Sequence, residues 1–174
     1  MIDLILIIIF MIFSIDVLLA YKYKIMYKSK HKFLLAFLHL FILLINMVFI
    51  LYLGIVYSNK IPIINIFGFI FLLFGISYII YTLYFLKEAA ILPKNKLIIK
   101  GPFNYSRHPI YVGHITIVLG LSLIFGSLHL FIYTIFLILA LNYLAKKEEE
   151  ELIKRFGKSY LDYIKKVPRF NILK

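Results

Sequence analysis

Five long runs of apolar residues, at about positions 2–20, 33–57, 61–86, 109–125 and 128–145, alternate with short polar segments along this 174-residue chain. Each run is near or above the roughly 17–25 residues that cross a hydrocarbon core, so the pattern predicts an all-α, polytopic membrane helix bundle of about five transmembrane helices. The first run has no basic segment before it and continues into Tyr21-Lys22-Tyr23-Lys24, which reads as a retained helix rather than a cleaved leader. Only Gly126 and Ser127 separate the last two runs, predicting a tight antiparallel helix hairpin whose far ends emerge on one side. After residue 145 the pattern changes. Leu152, Ile153, Phe156, Tyr160, Tyr163 and Ile164 recur at helical spacing among Lys and Arg, which predicts a C-terminal amphipathic helix, interrupted at Gly157 and stopped by Pro168. The whole chain reads as one membrane domain.

Within the spans, Gly68 and Gly75 are seven residues apart, as are Gly113 and Gly120. Each pair marks one stripe of its helix where a neighbouring backbone can approach closely. His39 and His114, in apolar runs, are expected to be hydrogen-bonded between helices.

Composition agrees with this pattern: 63% of the residues are hydrophobic and 16% charged, with a mean hydropathy of +0.96. A soluble core of this size cannot hide so much apolar surface. The net charge of +12 brings nucleic acid to mind, but 19 of the 20 Lys and Arg residues fall on one side of a five-span arrangement. Topology accounts for them, placing the N-terminus outside and the C-terminal tail in the cytoplasm, and no nucleic-acid partner is expected. The absence of cysteine excludes disulfides, thiolate metal sites and a Cys nucleophile.

Two polar clusters then remain, both on the predicted cytoplasmic face. The first is Arg107-His108-Pro109-Ile110-Tyr111, where Pro109 suits the first turn of a helix and holds His108 in an extended conformation. A helix N-terminus backed by Arg107 and His108 would suit a carboxylate or phosphate; equally, Arg107 could snorkel to headgroups and His108 merely cap the helix. The second is Glu148-Glu149-Glu150-Glu151. Glu150 and Glu151 are explained as solvated pairs with Lys154 and Arg155 four residues on, whereas Glu148 and Glu149 sit at the membrane exit, where a carboxylate could bind an ammonium or face a sulfonium. An anion site and a cation site on one face, with Phe103, Tyr105 and Tyr111 nearby, match a zwitterionic, partly aromatic cofactor such as S-adenosylmethionine.

Gly101-Pro102-Phe103, the Arg107–Gly113 stretch, Glu148-Glu149, Leu152, Phe156-Gly157, Tyr160, Tyr163 and Val167-Pro168-Arg169 together resemble the C-terminal half of the isoprenylcysteine carboxyl methyltransferases and their phospholipid methyltransferase relatives. The resemblance covers about residues 88–170. It implies S-adenosylmethionine bound on the cytoplasmic side and a lipid or prenylated acceptor entering from the membrane. Carried over residue by residue, the cofactor site would include Glu88, Asn95, Lys96, Leu97, Ile98, Phe103, Arg107, His108, Pro109, Ile110, Tyr111 and Glu148, with His108 and amides near Tyr111 on the methionine carboxylate and Glu148 on its ammonium. Glu149 is the nearest candidate general base, should the acceptor be an amine. No metal is implied. The preferred reaction is O-methylation of an isoprenylcysteine-type carboxylate, with N-methylation of a phospholipid amine as the alternative. Leu144 departs from the family pattern, because carboxyl-methylating members carry Arg one turn before the first Glu. Sterol reductases share part of the motif but need more spans, and a non-enzymatic membrane scaffold or transporter subunit is the alternative of another class.

Overall fold

The computed structural model describes residue 45 and residues 48–58, 62–91 and 97–170, the side chains of 62 and 87–91 excepted. The expected first span, most of the second, His39, Asn95 and Lys96 lie outside these residues. Among the described residues every regular element is helical. A helical segment at 48–56 precedes α1 (Pro62–Ile91), a 3-10 turn (Gly101–Asn104), α2 (Pro109–Phe125), α3 (Leu128–Phe156) and α4 (Lys158–Lys166). The α1 and α3 helices are long and apolar enough to cross a membrane, and α2 is a shorter apolar helix of 17 residues. Five crossings are therefore not established, but the three C-terminal apolar runs each form a helix.

α1 and α2 pack antiparallel through the two glycine stripes. A Cβ on Gly120 would stand 2.8 Å from the Gly68 carbonyl and 2.7 Å from the Leu72 amide nitrogen, and one on Gly75 would stand 2.8 Å from the Gly113 carbonyl. The equal seven-residue spacing on both helices is thus one interface, Gly68 against Gly120 and Gly75 against Gly113. In lipid, where no hydrophobic effect draws helices together, such backbone contact supplies the attraction. Gly120→Ala is expected to cost about 1–3 kcal/mol, because the opposing atoms are backbone and cannot rotate away; an unchanged melting temperature in detergent would refute the close approach. The outer side of α1 exposes Phe67, Ile70, Leu73, Ile80 and Tyr84, a surface suited to hydrocarbon.

The α2–α3 hairpin forms as its sequence predicts. Gly126 takes the left-handed conformation (φ 59°), its amide and that of Ser127 donate back to Leu123 and Ser122, and the Ser127 hydroxyl caps α3 by accepting from the Leu130 amide. The core below it joins Ile50 and Leu53 to Val118 and to one stripe of α3: Leu130, Tyr133, Leu137 and Leu141. α3 continues without a break past the apolar run to Phe156. Gly157 (φ 54°) then turns the chain into α4, which buries Tyr160 and Tyr163 against Leu97, Leu152, Ile153 and Phe156. This tail helix packs on the protein itself.

Candidate active site

His108 is placed by its neighbours before its own side chain contributes. Pro109 begins α2, and the His108 carbonyl accepts from the amides of Tyr111 and Val112. The first-turn donor set is accordingly smaller than the sequence suggests: of the three amides after Pro109, only that of Ile110 is left for a ligand. From the other side, residues 167–170 lie across this corner as a strap. The Arg107 amide donates to the Pro168 carbonyl (3.1 Å), the His108 amide to the Arg169 carbonyl (3.4 Å) and to Ser106 Oγ (3.2 Å), and Ser106 Oγ to the Arg169 carbonyl (2.7 Å). Phe170 meets the His108 ring edge-on.

The two polar clusters of the sequence meet at this corner. His108 is buried, with Nε2 3.2 Å from Glu149 Oε1 and Nδ1 3.3 Å from Glu148 Oε2. Adjacent residues on a helix diverge by about 100°, so the two carboxylates go to different places. Glu149 continues the buried stripe of Leu137, Leu141 and Ala145 and is 6% exposed. There its Oε1 faces Arg107 Nη2 (3.3 Å) and accepts from Arg169 Nε (3.0 Å), while Oε2 accepts from Arg169 Nη2 (2.8 Å). Arg169 Nη1 donates to Asn142 (2.6 Å). Glu148 is more open and accepts from the Tyr111 hydroxyl (2.8 Å), whose ring stacks on His108.

Beside Glu148 lies an open cavity of about 260 Å³. Phe103, the segment Arg107 to Tyr111, and Glu148 line it, joined by Leu86 and by Leu152, which the sequence placed in the amphipathic pattern and the family motif but not in the cofactor site. Seven of the twelve expected cofactor residues thus share one cavity. Leu97 packs instead into the α4 cluster, and Ile98 does not line the cavity. The Glu88 side chain falls outside the described residues, and His114, on α2, is not part of the lining. The setting of Glu149 also departs from the general-base expectation: a carboxylate with both oxygens engaged by guanidinium groups has little basicity to offer.

Arg169 is the site residue that sequence reasoning passed over, although its motif was noted. One basic residue in a basic tail carries no signal of its own. The burial of Glu149, in contrast, was readable by extending the α3 stripe four residues past Ala145.

The profile of the phospholipid methyltransferase family matches residues 62–159, more than half of the chain, from α1 to the start of α4. The chain belongs to the phospholipid methyltransferase family. This match spans α1, the 3-10 turn, α2 and all of α3, so the helices that build the cavity are the ones the family shares. Comparison with curated proteins and with solved structures gives no match. Membership makes the protein a methyltransferase of membrane lipid chemistry at the level of the family; the strap from Val167 to Phe170 lies beyond the matched segment.

Proposed function

We propose that the protein transfers a methyl group from S-adenosylmethionine to a lipophilic acceptor at the cytoplasmic face of a membrane, the preferred acceptor being an ionised carboxylate of the isoprenylcysteine type. The observation that carries this is the pairing, in one cavity, of an open carboxylate, Glu148, with the buried Arg107 guanidinium and the His108 imidazole. These residues fit the cofactor: its ammonium and sulfonium are drawn to Glu148, its carboxylate to the Ile110 amide and the positive end of α2, and its base to the faces of Phe103 and Tyr111. When bound, the cofactor supplies an electrophilic methyl group on sulfur, which requires neither a metal nor a protein nucleophile.

The chain's own residues then have positional tasks. Tyr111 fixes the Glu148 rotamer through its hydroxyl, and His108 spans the two carboxylates. Glu149 ties Arg107 to Arg169 of the strap. Leu86, Ile110 and Leu152 provide apolar walls that lower the local dielectric and so strengthen the charges beside them. A carboxylate acceptor suits this arrangement, because it arrives ionised and needs no base. Neither site carboxylate is poised as one, since Glu148 accepts from Tyr111 and Glu149 from Arg169.

The second reading, N-methylation of a phospholipid amine, is favoured by the family match and by Leu144, which stands one turn before Glu148 and packs partly against the core. Purified protein in detergent should bind S-adenosylhomocysteine and be thermally stabilised by it; absence of both effects would end the methyltransferase reading for this cavity. Labelled methyl incorporated into a farnesylcysteine analogue should be base-labile, as an ester is, whereas label in phosphatidylethanolamine that survives base would establish the amine. Leu144→Arg is expected to raise carboxyl methylation several-fold. If it does so from a negligible wild-type rate, the amine is the native acceptor.

A further inference from the structure

Among the described residues, five buried side-chain polar atoms have no hydrogen-bond partner; two of them lie on Arg107, in the wall of the cavity, and a third on Tyr160. These three are Nε and Nη1 of Arg107 and the hydroxyl of Tyr160. The Arg107 side chain is 9% exposed, and Tyr160 is 1% exposed. Tyr160 stands within electrostatic reach of Arg107 and Glu149, and its ring contacts that of Tyr163, whose own hydroxyl is spent on the Phe103 carbonyl at 2.6 Å. A fourth unpartnered atom is the Tyr78 hydroxyl on α1, within electrostatic reach of Tyr163.

A buried guanidinium with two idle nitrogens is costly, since groups withdrawn from water are normally paired. Among the described residues the ionic partner of Arg107 is Glu149, which it shares with Arg169 and His108. All the idle nitrogens are donors. Burial pushes the Tyr160 hydroxyl up to about 12, so it keeps its proton and donates as well. What is missing from this corner is an acceptor, and a charged one answers the surplus of guanidinium better than water does.

We infer that Arg107 and Tyr160 form an oxyanion subsite for the head of the acceptor, on the side of Arg107 away from Glu149. This inference rests on the methyltransferase reading and deepens it by naming the acceptor class: a lipid carrying a carboxylate or a phosphate diester next to the methylated atom. In the first case the bound oxygen itself attacks, so a C–O bond forms as the C–S bond breaks, the electron pair stays on the sulfur of the thioether product, and no proton moves. In the second the phosphate is a handle and a neighbouring neutral amine attacks, having shed one proton to water. Glu149 is then a positioning residue for Arg107.

The test is Tyr160→Phe, which keeps the ring in place and removes a hydroxyl that has no partner. Its melting temperature without ligand should match or exceed that of wild type. Wild-type protein should bind N-acetyl-S-farnesylcysteine at least about tenfold more tightly than its uncharged methyl ester, or phosphatidylethanolamine more tightly than diacylglycerol, and the variant should lose about tenfold of that preference. Its affinity for S-adenosylhomocysteine should stay within twofold. Equal binding of charged and uncharged lipids by wild type, or an undiminished preference in Tyr160→Phe, overturns the subsite. So does a loss confined to S-adenosylhomocysteine, which would assign these donors to the cofactor. Failure of wild type to bind S-adenosylhomocysteine at all instead removes the reading on which the subsite rests, and the lipid comparison then decides whether the donors recognise an anion of another chemistry. The acid and phosphate arms separate the two sources of the oxyanion.

Discussion

Glu149→Ala is expected to destabilise the protein by about 3–5 kcal/mol, the range seen when one member of a buried ion pair is removed and the other is left without compensation. The magnitude follows from what Glu149 holds. One oxygen faces His108, Arg107 and Arg169 at 3.0–3.3 Å, the other accepts from Arg169 at 2.8 Å, and the carboxylate is nearly sealed from water. Alanine leaves the Arg107 guanidinium with no charged partner in a buried site, and the strap loses its main side-chain tie. Thermal unfolding in detergent is the measurement. Arg169→Ala in the Glu149→Ala background should restore part of the loss, because it removes one of the two stranded cations; a double variant no better than the sum of the singles would show that the pairing contributes little. A fall of less than a degree in the single variant would refute the buried network.

Glu148→Gln, one position earlier, is expected to do the opposite. Its amide oxygen can still accept from Tyr111, and the side chain is partly open, so the melting temperature should barely move. The charge facing the cavity is gone, however, and affinity for S-adenosylhomocysteine should fall about 10- to 100-fold, the worth of one charge-assisted contact. Calorimetric titration of both Glu variants separates the roles: Glu149→Gln should lose stability more than affinity, Glu148→Gln affinity more than stability. If the two variants behave alike, the 100° divergence of their side chains does not divide their work.

That division could not be read from four consecutive glutamates. What was legible were the features governed by local rules: the apolar runs, Gly126 and Ser127 at the hairpin, the stop at Gly157, and the glycine stripes, each marking a face where another backbone can approach. The His-Pro corner and the first Glu could be joined because a hairpin returns its two ends to one side. What stayed hidden depends on contacts distant in sequence. Arg169 is 20 residues from Glu149 and 27 from Asn142, and no periodicity connects them. Tyr160 reads as an ordinary apolar position of an amphipathic helix, and so it is, except for its oxygen. The first-turn amides of α2 were expected to be free, but the His108 carbonyl takes two of them.

The strap also sets an order of events in the life of the chain. The backbone of Arg107 and His108 is pinned by the carbonyls of Pro168 and Arg169, some sixty residues downstream. The α1–α2–α3 hairpins carry the signals for membrane insertion within themselves, and these segments leave the ribosome first. The corner of Arg107 and His108 can close only once the strap has followed, so the helices that carry the cavity are made before the segment that completes it.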